Sequence, residues 1–458
     1  MPTTSEQLRP WLDRVLANHE SWAAEFGAYS RHDSLALRDS DVEAALDELA
    51  SRLRDNYPFF HPRYAGQMLK PPHPVAIAGY AAAMLINPNN HALDGGPATA
   101  KMEREVVRQL AEMFGYGEHL GHLTTSGTIA NLEALYVARE IHPELGIAYS
   151  VDSHYTHSRM CKLIGVAGHA VPVDSTGKMD LDALESLLRT GKVGTVVVTA
   201  GTTGLGVVDP VHEVVALRSR YDFRIHVDAA YGGFFSLIAG SEGIDPLPWQ
   251  AIRHCDSIVV DPHKHGLQPY GCGAVLFADP SVGRFYVHDS PYTYFTSDEL
   301  HLGEISLECS RPGAAAAALW LTLKLLPLRA DGLGAVLAAG RRAAVRWHEL
   351  IDQSDRLVPY QPPELDIVTY FPAESTLSAI DAASEWILRA GMADQDDPVY
   401  LSTLRAGADS FGRRGIAAVA DVDGARVLRS VLMKPESEGY LDRLHERVVA
   451  LAGPESPR

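Results

Sequence analysis

Four short segments carry side chains whose types and spacing could do chemistry. Asp261-Pro262-His263-Lys264-His265 follows an apolar run that ends at Val260. A lysine held in a desolvated loop can have its pKa lowered enough to form a Schiff base, although a lone lysine is equally the residue most at home in solvent. His226-Val227-Asp228-Ala229-Ala230-Tyr231-Gly232 puts Asp228 at the end of a second apolar run. A carboxylate buried there needs a partner, though an Asp capping the next turn is written with the same letters. Thr124-Thr125-Ser126-Gly127-Thr128-Ile129-Ala130-Asn131 places hydroxyls and a glycine where a helical pattern begins. That suits a phosphate dianion, and it also suits an ordinary Ser/Thr cap. Ser153-His154-Tyr155-Thr156-His157 offers an imidazole that could stack on a flat ring. With His263 and His265 its histidines also invite a metal reading, but the other ligand spacings of zinc sites are missing, so no metal is expected.

Together the segments supply what pyridoxal phosphate would need: an amine, a partner for a protonated pyridine nitrogen, an anion-binding turn and a ring to stack against. Ala230 is small enough for a flat ring to lie on it. There is no GKS or GKT, and Gly201-Thr202-Thr203-Gly204-Leu205-Gly206 does not follow GxGxxG, which tells against a P-loop and weakens a dinucleotide site.

The elements that must position these residues are legible as an alternation. Strand candidates at 147–151, 170–173, 193–199, 224–227, 257–260 and 273–277 are separated by helical patterns such as that of Asp180 to Leu188. Such alternation predicts an α/β layer with a mainly parallel sheet, whose ligand loops lie at the carboxyl ends of its strands. Residues 1–75 read as an N-terminal segment: helices to about residue 55, with Val42, Leu46 and Leu49 on one helix face, then an aromatic connector from Asn56 to Pro74 containing Tyr57, Phe59, Phe60, His61 and Tyr64. Residues 76–330 form the large domain, and 331–458 read as a smaller α/β domain with strands near 366–371 and 426–433.

At 458 residues the chain exceeds the size of a single core. Its 58 acidic against 40 basic residues give a net charge of −18, a field that repels phosphate backbones, so nucleic acid is not an expected partner. The longest apolar run, Val75 to Ile86, is too short to span a bilayer, so no membrane association is expected. Four cysteines without a CxxC pair, and an N-terminus without an apolar leader, predict a cytoplasmic protein.

In order and wording, TSGTIAN, SHYTHSR, TAGTTGLGVVDP, HVDAAYGG, DPHKHG and ECSRPG resemble the group II pyridoxal phosphate-dependent amino-acid decarboxylases, the family of aromatic amino-acid, histidine and glutamate decarboxylases. The resemblance runs from about His61 to Leu326. It implies PLP fold type I, with a seven-stranded type of sheet in the large domain, and a homodimer whose N-terminal segment clasps the partner with active sites at the interface. It implies Lys264 as the lysine that binds the cofactor, Asp228 on its ring nitrogen, and His154 and Ala230 on its two faces. Ser126, Gly127 and Thr128 match the phosphate turn, Thr202 a residue near the ring oxygen, and Asp261 and His263 the rest of the lysine segment. Ser290-Pro291-Tyr292-Thr293-Tyr294 is similar to the family's mobile loop and points to Tyr292, ahead of Tyr294, as the donor of a proton to Cα, with His154 as the other candidate. His61, Tyr64, Pro97 and Thr99 fall in segments similar to the family's substrate side. Asp261 and Arg159 stand where several members carry Asn and Lys.

The implied reaction turns an L-amino acid into an amine and carbon dioxide. An aldehyde synthase, another PLP carbon-carbon lyase or a non-catalytic α/β binding protein are the alternatives. The aromatic connector favours an aromatic or apolar substrate side chain, unless it only packs the N-terminal helices.

Overall fold

The computed structural model describes residues 4–287 and 301–453. Among them, eleven strands fall into two sheets. The first contains β1 (Leu120–Thr124), β2 (Gly146–Ser150), β3 (Gly168–Val171), β4 (Val193–Thr199), β5 (Arg224–Asp228), β6 (Ser257–Val260) and β7 (Gly273–Phe277), in the order β1-β7-β6-β5-β4-β2-β3. The β2, β3, β4, β5 and β6 pairings are parallel, and β7 runs antiparallel to both β1 and β6. The α/β layer with a mainly parallel sheet is therefore present, with one reversed strand. Valine-rich β4 is buried at every residue, as a central strand covered on both faces must be. The strand expected over 170–173 lies two residues earlier, because Pro172 has no N–H to extend the ladder.

The first six helices in chain order are α1 (Thr4–Ala24), α2 (Asp39–Leu53), α3 (Pro74–Met84), α4 (Pro97–Phe114), α5 (Gly127–Ile141) and α6 (Thr156–Leu163). α3 is the apolar run of the sequence. It packs against the helix Gly313–Leu325, and Gly79 permits the approach: a Cβ there would stand 3.0 Å from Ala318 Cα. By contrast α1 and α2 bury no residue in this chain. Val42, Leu46 and Leu49 do lie on one helix, yet they are 37%, 57% and 51% exposed.

The second sheet contains β8 (Leu357–Gln361), β9 (Ile367–Pro372), β10 (Ser402–Gly407) and β11 (Gly424–Val431), antiparallel in the order β10-β11-β9-β8. Its core gathers Trp347, Tyr370, Leu428 and Val448. The connector is laced to this sheet: Ala65 N–H donates to the Tyr400 carbonyl at 2.9 Å, and Val431 N–H donates to the Ala65 carbonyl at 3.1 Å. No helix among the described residues is long and apolar enough to cross a membrane.

Candidate active site

The carboxyl ends of adjacent strands bring the segments together. β4 ends at Thr199, β5 at Asp228 and β6 at Val260; in register, Thr199 faces Asp228 and Asp228 faces Val259. β1 leads through Thr125 and Ser126 into α5, and β2 leads into α6. Ser126, Gly127 and Thr128 line a cavity of about 210 Å³ with His154, Asp228 and Ala230, and with Asp261, His263 and Lys264 of the lysine segment.

Each residue is held by identifiable contacts. Ser126 Oγ accepts the Ile129 N–H at 3.3 Å and caps α5, whose N-terminus therefore faces the cavity with its dipole and free N–H groups. Gly127 is required for closeness: a Cβ there would stand 2.6 Å from Asp261 Oδ2. Lys264 Nζ lies 3.0 Å from that same oxygen. His263 Nδ1 meets the Cys272 carbonyl at 2.8 Å. His154 Nδ1 meets Thr156 Oγ1 at 2.5 Å, and burial pushes the ring's pKa below its ordinary value.

Asp228 accepts the Ala230 N–H on Oδ1 at 3.2 Å and faces His157 Nε2 with Oδ2 at 2.8 Å. Burial works against its charge, but the His157 hydrogen bond, with the charges of His157 and Lys264, holds the carboxyl well below the usual range. Two buried polar atoms of cavity residues, Thr199 Oγ1 and Asp261 Oδ1, have no hydrogen-bond partner among the described residues. A cavity so lined suits a ligand with an anionic arm, a cationic ring edge and polar ring substituents.

Several sequence candidates lie elsewhere. Thr202 accepts the Val207 N–H at 3.1 Å and is not part of the cavity wall, where Gly201 and Thr203 stand instead. Pro97 opens α4, Thr99 donates to Asn90 Oδ1 at 2.6 Å, His61 packs edge-on to Tyr440, and Tyr64 gives its carbonyl to Lys434 Nζ. None of these four lines the Lys264 cavity of this chain. Tyr57, Phe59 and Tyr64 pack on one another, with Tyr57 and Tyr64 also against Tyr400. Tyr292 and Tyr294 fall outside the described residues.

The histidines of the metal reading have separate partners, and among the described residues no group of three or more His, Cys, Asp or Glu could hold a metal ion. Nδ1 of His265 meets the Tyr231 carbonyl at 2.9 Å and Nε2 meets Asp366 Oδ2 at 2.8 Å, while Tyr231 O–H donates to Asp366 Oδ1 at 2.5 Å. Asp366 stands just before β9, so this trio ties the lysine segment to the second sheet. Sequence reasoning also missed Arg429, a buried guanidinium of β11 that donates to the Thr203 and Gly204 carbonyls beside the cavity. Asp209 anchors the loop carrying Thr203 by accepting the Thr199 and Met179 N–H groups at 2.7 and 2.8 Å, and burial raises its pKa to about 6.

Comparison with known proteins decides what this cavity belongs to. Residues 59–368 match the family described as the pyridoxal-dependent decarboxylase conserved domain. The chain belongs to that family. This decarboxylase is 28% identical to an L-tyrosine decarboxylase of Enterococcus faecium across 82% of its own length and 80% of the relative's. It is 30% identical to a probable L-tyrosine/L-aspartate decarboxylase of Methanothermobacter thermautotrophicus over 67% of this chain and 82% of that one. Its fold matches mouse CSAD with a TM-score of 0.78 at 20% identity, covering 98% of this chain and 99% of the other. It is a pyridoxal phosphate-dependent amino-acid decarboxylase. The bound cofactor supplies a ring that accepts the electron pair left when the carboxylate departs. The residues present fit it: Lys264 can offer the amine, the start of α5 an anion site, and Asp228 a fixed negative charge.

Proposed function

We propose that this enzyme decarboxylates an aromatic L-amino acid, with tyrosine as the leading candidate, and releases the amine and carbon dioxide. The observation that carries the reading is the convergence of Lys264, Asp228 and the α5 N-terminus on one cavity. The substrate class is supported by the tyrosine decarboxylase relative and by an adjoining cavity of about 650 Å³. That cavity shares His154, Tyr155 and Thr203 with the first and adds Leu205, Tyr360 and Leu404.

In this reading Lys264 bonds the cofactor, Asp228 keeps its ring nitrogen protonated, and His154 and Ala230 hold the ring between them. Ser126, Gly127 and Thr128 bind its phosphate. Tyr292 delivers a proton to Cα after carbon dioxide leaves. The enzyme works as a cytoplasmic homodimer organised as residues 1–75, 76–330 and 331–458. Support for the dimer comes from α1 and α2, none of whose residues is buried in their own chain, while Trp22 and Phe26 are 47% and 76% exposed. The substrate side, with His61, Tyr64, Pro97 and Thr99, is completed at the subunit interface. The test is carbon dioxide release from a panel of L-amino acids. Release from tyrosine above the others supports the reading, release from aspartate alone replaces the substrate class, and no release from any member overturns the activity.

A further inference from the structure

We propose that His157 is a positioning residue for Asp228, aiming its carboxylate at the ring nitrogen of the cofactor. The proposal rests on the reading that Asp228 pairs with that nitrogen. His157 stands in the first turn of α6 and Asp228 at the end of β5, 71 residues later in the chain, so tertiary structure and not a local turn brings them to 2.8 Å. Both side chains are buried, at 0% and 5% exposure. The carboxylate is gripped at both oxygens: Ala230 N–H donates to Oδ1 and His157 Nε2–H to Oδ2. Two donors on two oxygens fix rotation about Cβ–Cγ, which one donor would leave free.

The imidazole has no competing polar task. Its Nδ1 is buried without a hydrogen-bond partner among the described residues, so Asp228 is its polar contact. Packing near Tyr149, 6.3 Å between centroids at an interplanar angle of 30°, fixes the ring plane. The turn also couples two roles, since His157 N–H donates to the His154 carbonyl at 3.1 Å. His154 stands just before α6 and His157 in its first turn, so one short segment presents His154 to the cavity and His157 to the carboxylate.

The test uses the holoenzyme carrying pyridoxal phosphate labelled with ¹⁵N in the ring, and the variants His157→Leu and His157→Gln. Glutamine keeps an N–H near the Nε2 position, and leucine removes it. In His157→Leu the ring-nitrogen resonance is expected to move toward the unprotonated range. kcat should fall on the order of 10- to 100-fold, the scale for losing the partner of a liganding group, with KM changed less than about twofold. His157→Gln should restore most of both. In an Asp228→Asn background, His157→Leu should cost no more than about twofold, because its target is gone. An unmoved resonance in His157→Leu, equal losses in Leu and Gln variants, or full additivity with Asp228→Asn would each overturn the proposal while leaving the decarboxylase reading intact. A wild-type enzyme whose ring nitrogen is unprotonated would overturn the Asp228 reading and this inference with it.

Discussion

Lys264 Nζ and Asp261 Oδ2 lie 3.0 Å apart, three residues from each other on the loop that follows β6. The lysine amine is thus held by a carboxylate that is 3% exposed, and the same carboxylate closes on Gly127 at the start of α5. Asp261 therefore touches both the proposed attachment lysine and the proposed phosphate-binding turn.

Lys264→Ala should abolish borohydride-reducible attachment of the cofactor and lower carbon dioxide release by about 10³-fold or more, the scale of removing a catalytic nucleophile. The measurement is incorporation of tritium from labelled borohydride, read beside the violet-edge absorbance expected of a lysine-bound pyridoxal phosphate. A variant reduced to the wild-type level would assign the amine elsewhere.

Tyr292→Phe keeps the ring and deletes only the hydroxyl. Amine formation should fall by roughly 10² to 10⁴, the contribution of a positioned general acid, while cofactor and substrate still bind. A larger share of turnovers should consume oxygen and give aldehyde. Tyr294→Phe serves as the control and should be mild. Product analysis by chromatography with an oxygen electrode reads both, and amine made at the wild-type rate by Tyr292→Phe would shift the proton donor to His154.

Asp209 gives a pH signature of stability. Its folded pKa, about 6, is raised above the ordinary 3.8 by burial, so the native state holds this proton more tightly than the unfolded chain. The resulting stabilisation is complete below about pH 3.8 and is lost as pH rises through 6. Relative to Asp209→Asn, the wild type should lose about 3 kcal/mol across that window. Asparagine also deprives one backbone N–H of its acceptor, but that offset does not vary with pH, so urea midpoints at a series of pH values isolate the carboxyl. Parallel curves for the two proteins would contradict the assignment.

Trp22→Glu with Phe26→Glu places two charges on the open face of α1 and its following turn. Sedimentation at micromolar concentration should show a dimer for the wild type and a monomer for the double variant, with activity lost alongside. An active wild-type monomer would refute the interface.

Much of the large sheet was legible because its strands are continuous β-branched runs. Val193–Thr199, Ser257–Val260 and Gly273–Phe277 begin and end where the letters predict. β1 was not, since Leu-Gly-His-Leu-Thr lacks such a run and its Gly121 only makes room for the close approach of Val275 and Leu276. β8 hid behind Pro359, which interrupts the strand pattern where the register shifts. Of the site, residues that stand directly after strands could be named in advance. His157, Arg429 and the His265–Asp366 pair could not, because each acquires its partner through tertiary packing across 71 to 226 positions of chain. The same limit applies to Thr202, where Thr203 one residue on turns out to face the cavity.

The trio of Tyr231, His265 and Asp366 gives the molecule a thermodynamic seam. Tyr231 lines the Lys264 cavity, His265 adjoins Lys264, and Asp366 introduces the second sheet. If the cofactor fills this cavity as proposed, its binding should also stabilise the second sheet through Asp366. The loaded protein should then unfold as one block, and loosening of the second sheet should weaken cofactor binding at the cavity.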